Sequence, residues 1–271
     1  MEQKTRLLSI LKGQPADRPP FICPGGMMNM AVTELMEATE CGWPEAHVDS
    51  TKMAQLTLAA NRLAGIENVG VPFCMTVEAE AMGARIDLGS RWSEPNVAVY
   101  PMDTVADIDR LSQIDVTAGR AGVCVNAVRI LRKEAPQTPV FANLTGPVSL
   151  ATSLVDPLIF YRALIKNKEG AHKLMSIANQ TLVLFGSALI EAGADPRLPN
   201  RHGSTPLHLA VQPTGRGGAG SLQAREQQRG IVRFLMERGA KPTDADGLGK
   251  SVYQAATSAQ IRALLTDPTA G

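Results

Sequence analysis

Aromatic residues are scarce in this chain, 4% of 271, so its core must be built from Leu, Ala, Val, Ile and the eleven Met. Neither sign of charge is in excess. With 27 Lys and Arg against 26 Asp and Glu, the formal net charge is +1, which gives no electrostatic case for nucleic acid or an anionic membrane as partner. There is no Cys-x-x-Cys pair. The four cysteines, Cys23, Cys41, Cys74 and Cys124, are widely spaced and read as reduced thiols rather than a disulfide framework. The longest apolar stretch, residues 181–190, is about half of the roughly 20 residues a membrane span needs. The N-terminal patch of Leu7, Leu8, Ile10 and Leu11 is too short for an export signal. At 44% hydrophobic and 20% charged, what remains is the composition of a globular protein, expected in the cytoplasm.

Up to about residue 190 the pattern alternates between short apolar runs and longer helical periods. A helix is expected over residues 5–11, stopped by Pro15, Pro19 and Pro20. Residues 20–23 read as a buried strand that ends in the turn Pro24-Gly25-Gly26. Asp49 is placed to cap a helix carrying Met53, Leu56 and Leu58, with Gly65 ending it. Residues 66–73 and 139–144 are two further strands, separated by a helix over 121–135. Residues 161–191 are mostly helical, with Gly170 and Gly186 as weak points. Strands joined by helical crossovers imply parallel pairing and an α/β architecture.

After Gly193 the pattern changes. Gly203, Thr205, Pro206, Leu207 and His208, within RHGSTPLHL, resemble the opening of an ankyrin repeat. IVRFLMERGA, ending at Gly239 and Ala240, resembles the second ankyrin helix and its glycine stop. Residues 249–256 are a degraded third opening, and 261–265 its second helix. Gly193 recurs as Gly239 and Gly203 as Gly249, a spacing longer than the ~33-residue ankyrin period. The excess is expected as a loop inserted at 212–228. Leu207 and Leu209 should both lie between repeats, and His208 should bond within the turn array. The resemblance implies an all-α array whose surface docks a protein partner.

Three strings in the first part, FICPGGMMNM (21–30), VGVPFCMTVEAEAMGA (69–84) and ANLTGPVSLATSL (142–154), resemble the uroporphyrinogen decarboxylase superfamily. They are most similar to its cobalamin-dependent branch, which moves a methyl group from methylcobamide to coenzyme M. The resemblance implies a TIM-type barrel with its chemistry at the C-terminal strand ends. Cys23, Cys74 and Asn143 would stand at such ends, with Glu78 and Glu80 just beyond the second. In the decarboxylases an arginine-bearing loop follows the first strand, and a catalytic aspartate aligns with Cys74. Here that loop is Pro24-Gly25-Gly26-Met27 and the aspartate is a thiol, a pattern that fits the methyltransferase branch. The branch also implies zinc, held by a His-x-Cys motif and a later cysteine, and a corrinoid-protein partner. This chain has no His-x-Cys and no cysteine after Cys124, so no cofactor or metal is expected in it.

The chain therefore reads as a chimera. Residues 1–190 are expected as a truncated α/β TIM-type barrel and 191–271 as ankyrin repeats. A methyltransferase-like unit inactive by itself is the first functional expectation; an ankyrin-mediated binding module on an α/β scaffold is the alternative. The catalytic candidates are Cys74, Glu78 and Asn143, and the bland reading of Cys74 is a small buried thiol. His47 and His172 are expected on helix surfaces. Three parallel strands would leave an open edge at 140–144, a place for self-association. The apolar surplus over 161–191 calls for cover on two sides, by the strands before it and the repeats after it.

Overall fold

The computed structural model describes residues 1–11, 13–23, 32–194, 203–213, 220 and 222–266. The expected turn at 24–27, His202 and residues 214–219 of the expected insert lie outside them. The chain divides into two compact units, Phe21–Ala194 and Met1–Pro20 with Asp195–Gly271. The helix expected near the start is α1 (Gln3–Leu11), within the second of these units.

In the unit Phe21–Ala194, α2 (Thr33–Thr39) precedes α3 (Ser50–Ala64). The Asp49 carboxylate accepts from the N–H groups of Thr51 and Lys52 at the start of α3, and Gly65 at φ 72° ends it. The next strand, β1 (Val69–Val71), is shorter than the run of residues 66–73. Pro72 has no N–H to continue a ladder, and Glu67 and Asn68 are spent elsewhere. Glu67 N donates to Phe21 O at 2.7 Å, while the Asn68 amide brackets Cys23 through both N–H and C=O. The run at 20–23 is therefore not a regular strand. A side chain stands in for part of the ladder that Pro19, Pro20 and Pro24 cannot make.

Helix α4 (Val77–Ala81) follows β1, then an antiparallel hairpin of β2 (Arg85–Asp87) and β3 (Asn96–Val99) that the sequence pattern did not announce. Helix α5 (Gly119–Glu134) leads to β4 (Val140–Ala142), which pairs parallel with β1 in the register Val69↔Val140, Gly70↔Phe141, Val71↔Ala142. The βαβ crossover expected from the pattern is thus present. Val140 and Phe141 are buried and α5 and α8 pack on β4, so the strand is less open than expected.

The helical stretch expected over 161–191 breaks at Asn167. After α6 (Pro147–Leu154), α7 (Pro157–Lys166) ends there, and the Asn167 side chain accepts from Gly170 N to start α8 (Lys168–Ala192). Helix α8 is, among the described residues, the one helix long and apolar enough to cross a membrane. Its surplus has a local explanation. Leu174, Ala178 and Leu182 belong to a cluster with α4, α6 and α7, whereas Phe185, Ala188 and Leu189 belong to a second cluster with α3, β1 and α5. Two cores of one unit share a single helix.

In the other unit, α9 (Pro206–Ala210), α10 (Leu222–Glu237), α11 (Val252–Ala255) and α12 (Ala259–Thr266) pack as α9 on α10 and α11, and α10 on α12. The Thr205 hydroxyl accepts from His208 N, and His208 Nδ1 faces Thr205 N and Oγ1 at 3.2 and 2.8 Å. His208 Nε2 reaches Lys250 O at 3.0 Å, so one imidazole ties this turn to the next. Ser251 and Gln254 repeat the capping box in the third opening. Leu207 is fully buried as expected, but Leu209 is 56% exposed: on so short a helix the two point to different sides. The expected insert is also shorter, because α10 already begins at Leu222.

Candidate functional site

The end of β1 and the end of β4 lie side by side because the strands pair in parallel. Phe73 and Cys74 leave the first, and Asn143 and Thr145 leave the second. Helix α4 starts at Val77, three residues after Cys74, which brings Thr76, Glu78 and Glu80 to the same end. From α5 comes a residue the sequence reading missed. Arg120 is 4% exposed and forks over three partners: Glu80 Oε2, Cys74 Sγ at 3.2 Å and Thr76 Oγ1 at 2.8 Å. A cation in the first turn of a helix is opposed by the helix dipole. Its presence there is the one sequence signal that could have marked it. Burial works against the Arg120 charge, but Cys74 and Glu80 outweigh that and raise its pKa.

Glu78 is 1% exposed, and its two oxygens accept from Thr145 N at 2.8 Å and Thr145 Oγ1 at 2.9 Å. This carboxylate is a brace across the two strand ends, each of its oxygens accepting one hydrogen bond. Glu78 and Glu80 do not act as a pair, since Thr145 holds one and Arg120 the other. Cys74 is 4% exposed and also receives a hydrogen bond from Thr76 Oγ1 at 3.4 Å. Cys124, one helical turn beyond Arg120, is fully buried, and burial pushes its thiol above the usual range. Asn143 donates its backbone N–H to Val71 O, while its side-chain Nδ2 is buried without a partner. Cys23 stands apart, bracketed by Asn68.

His47 departs from expectation. It is 1% exposed, packed between Trp43 and Phe73 with ring centroids at 5.0 and 5.9 Å. Neither ring nitrogen has a partner, and the same holds for Trp43 Nε1. Burial, and secondarily the Arg120 charge, lower its pKa to about 4, so it is neutral near pH 7. A 3-10 turn after cis Trp43–Pro44 points the ring inward. His172 is exposed, as expected. Among the described residues no group of three His, Cys, Asp or Glu side chains converges to hold a metal.

Residues 2–197 match the family model described as uroporphyrinogen decarboxylase, and residues 202–247 match the ankyrin repeat model. The methylcobamide:CoM methyltransferase MtaA of Methanosarcina barkeri is 33% identical over 193 residues, 71% of this chain and 56% of that protein. MtbA of Methanosarcina acetivorans is 34% identical over the same shares. The uroporphyrinogen decarboxylase of Myxococcus xanthus is 27% identical over 70% of this chain and 55% of its own. A solved structure, a methyltransferase from Methanosarcina mazei, superposes with TM-score 0.63 at 29% identity, covering 88% of this chain and 67% of that one. The chain thus spans about half the length of the curated relatives it matches.

Proposed function

The chain belongs to the uroporphyrinogen decarboxylase family, and from that premise we propose that residues 1–190 are a partial TIM-type barrel of the methyltransferase branch, joined to ankyrin repeats at 191–271. The reaction of that branch is transfer of a methyl group from methylcobamide to a thiol such as coenzyme M, with a corrinoid protein as partner. This chain by itself does not carry out the transfer. One observation carries the reading: Cys74, Glu78 and Glu80 at the strand ends are already engaged by Arg120 and Thr145, while the Asn143 side-chain amide is left without a partner. Arg120 sits on the Cys74 sulfur and Glu80, and Thr145 takes both oxygens of Glu78.

Zinc does not fit this cluster. A zinc site needs about three anionic or neutral donors converging on one point, whereas here a guanidinium already faces the sulfur. What the residues do is hold the two strand ends in register, Glu78 by bonding the β4–α6 turn and Arg120 by joining α5 to the turn after β1. Dialysis of the full chain against zinc, followed by metal analysis, tests this. Retention below stoichiometric amounts is expected; stoichiometric zinc lost on Cys74→Ser would contradict it.

The second reading is a binding module, favoured by apolar side chains left open on the repeats. Leu209, Leu248 and Tyr253 are 56%, 94% and 42% exposed, while Leu207, Val252 and Ile261 build the core beneath. A protein partner on this surface would lose affinity on Leu248→Glu with the fold unchanged; an unaltered affinity would move the partner elsewhere.

A further inference from the structure

Helix α7 is apolar on two opposite faces. Phe160 and Ala163 point into the core. On the other side Leu158, Tyr161 and Ile165 recur at i, i+3 and i+7, and they are 65%, 51% and 79% exposed. Leu164 beside them is 42% exposed. One exposed leucine needs no explanation, but a stripe of this kind marks a surface that is covered in use.

The charges around the stripe are arranged unequally along the helix. At 100° per residue, Arg162, Lys166 and Ile159 fall on the same flank, with the two cations in the C-terminal half. At the N-terminal end Asp156, the cap of α7, and Asp103 rim a groove of about 440 Å³ with Val99, Tyr100, Met102 and Ile159. Arg110 pairs with Asp103 at 2.7 Å, and Asp107 beside it keeps the rim acidic.

We propose that this face docks a second copy of the chain through an antiparallel, two-fold contact of α7 against α7. A two-fold contact must complement itself with its ends exchanged. Reversing the helix puts Leu158 of one copy against Ile165 of the other, with Tyr161 near the axis. The two-fold keeps the charged flank on the same side in both copies. The acidic groove at the start of one α7 then receives Lys166 and Arg162 from the end of the other. An anionic membrane would gain no net attraction, since Asp103, Asp107 and Asp156 stand against Arg110, Arg162 and Lys166, and an unrelated partner would need no end-exchanged match. The contact differs from the sheet-edge association expected from the sequence, whose strand residues Val140 and Phe141 are buried.

Sedimentation equilibrium of the full chain tests the proposal. A dimer is expected, with Ile165→Glu and Leu158→Glu each weakening it at least about tenfold, as loss of a central apolar anchor does. Both positions are exposed, and an unchanged thermal melt of the dilute protein confirms that the variants fold. Lys166→Asp should also weaken the dimer, and adding Asp103→Lys should restore it. A wild type that stays monomeric at the highest concentration reached would overturn the proposal. So would a dimer indifferent to all these changes, or a monomer that binds phosphatidylglycerol vesicles through Ile165.

Discussion

Arg120 shows how a buried charge can be tolerated and what its removal would do. Its guanidinium is desolvated, but Glu80, Cys74 and Thr76 supply a carboxylate, a sulfur and a hydroxyl around it. Breaking a buried ion pair by deleting one partner costs roughly 3–5 kcal/mol. Glu80 is 36% exposed, so Arg120→Ala should fall near the lower end of that range, read by urea denaturation. Glu80→Gln should cost less, because the amide still accepts one hydrogen bond. A loss for Arg120→Ala no larger than that of Glu80→Gln would show that the pair does not brace the site. His47 makes a second prediction at this scale. Its pKa falls from 6.5 to about 4 on folding, so between those values the unfolded chain binds more protons than the native one. The contribution is intact above about pH 6.5 and is lost as pH falls toward 4, to a total of about 3 kcal/mol. His47→Phe keeps the ring contacts to Trp43 and Phe73 and removes the titration. Its stability should change less between pH 7 and 4.5 than that of the wild type; parallel profiles would contradict this. Cys74, Glu78 and Asn143 were legible as residues at strand ends, but their partners were not. Arg120 and Thr145 lie 46 and 67 residues away in sequence, and only the pairing of β1 with β4 brings them in.

Elements were readable where periodicity and end signals agreed. Asp49 and Gly65 bracket α3, and Thr205 and Pro206 open α9, because a cap and a missing N–H act locally. The break between α7 and α8 was not readable. Apolar spacing runs through it, and it depends on the Asn167 side chain taking a backbone role. The hairpin of β2 and β3 was missed for a similar reason: its strands are short and mostly exposed, so they carry little apolar alternation. The repeats yield two measurable consequences. Leu207→Ala should destabilise the protein by roughly 2–5 kcal/mol, whereas Leu209→Ala should change it by less than about 0.5 kcal/mol, since only the first is buried. Equal effects would remove the assigned helix face. Gly203 has φ 77°, and a Cβ there would lie 2.1 Å from Gly247 N of the following turn. Gly203→Ala must therefore shift that turn and weaken the His208–Lys250 link. A melting curve unchanged by Gly203→Ala would show that the two turns do not approach so closely.

At the scale of the whole molecule, two kinds of architecture follow one another in one chain. The family match ends at residue 197 and the ankyrin match begins at 202. That change was legible because repeat grammar and barrel grammar differ in their glycine and proline positions. The inward-facing partners of the strand ends were not, since they depend on tertiary pairing. The α/β unit shares part of the fold of the methyltransferases, while Arg120 and Thr145 occupy Cys74, Glu80 and Glu78 at its strand ends. Incubating the full chain with methylcobalamin, coenzyme M and zinc, and following loss of the methyl–cobalt absorbance, tests this most directly. No demethylation above the protein-free rate and no methylated thiol are expected. Catalytic formation of methylated coenzyme M that is abolished by Cys74→Ser would contradict it.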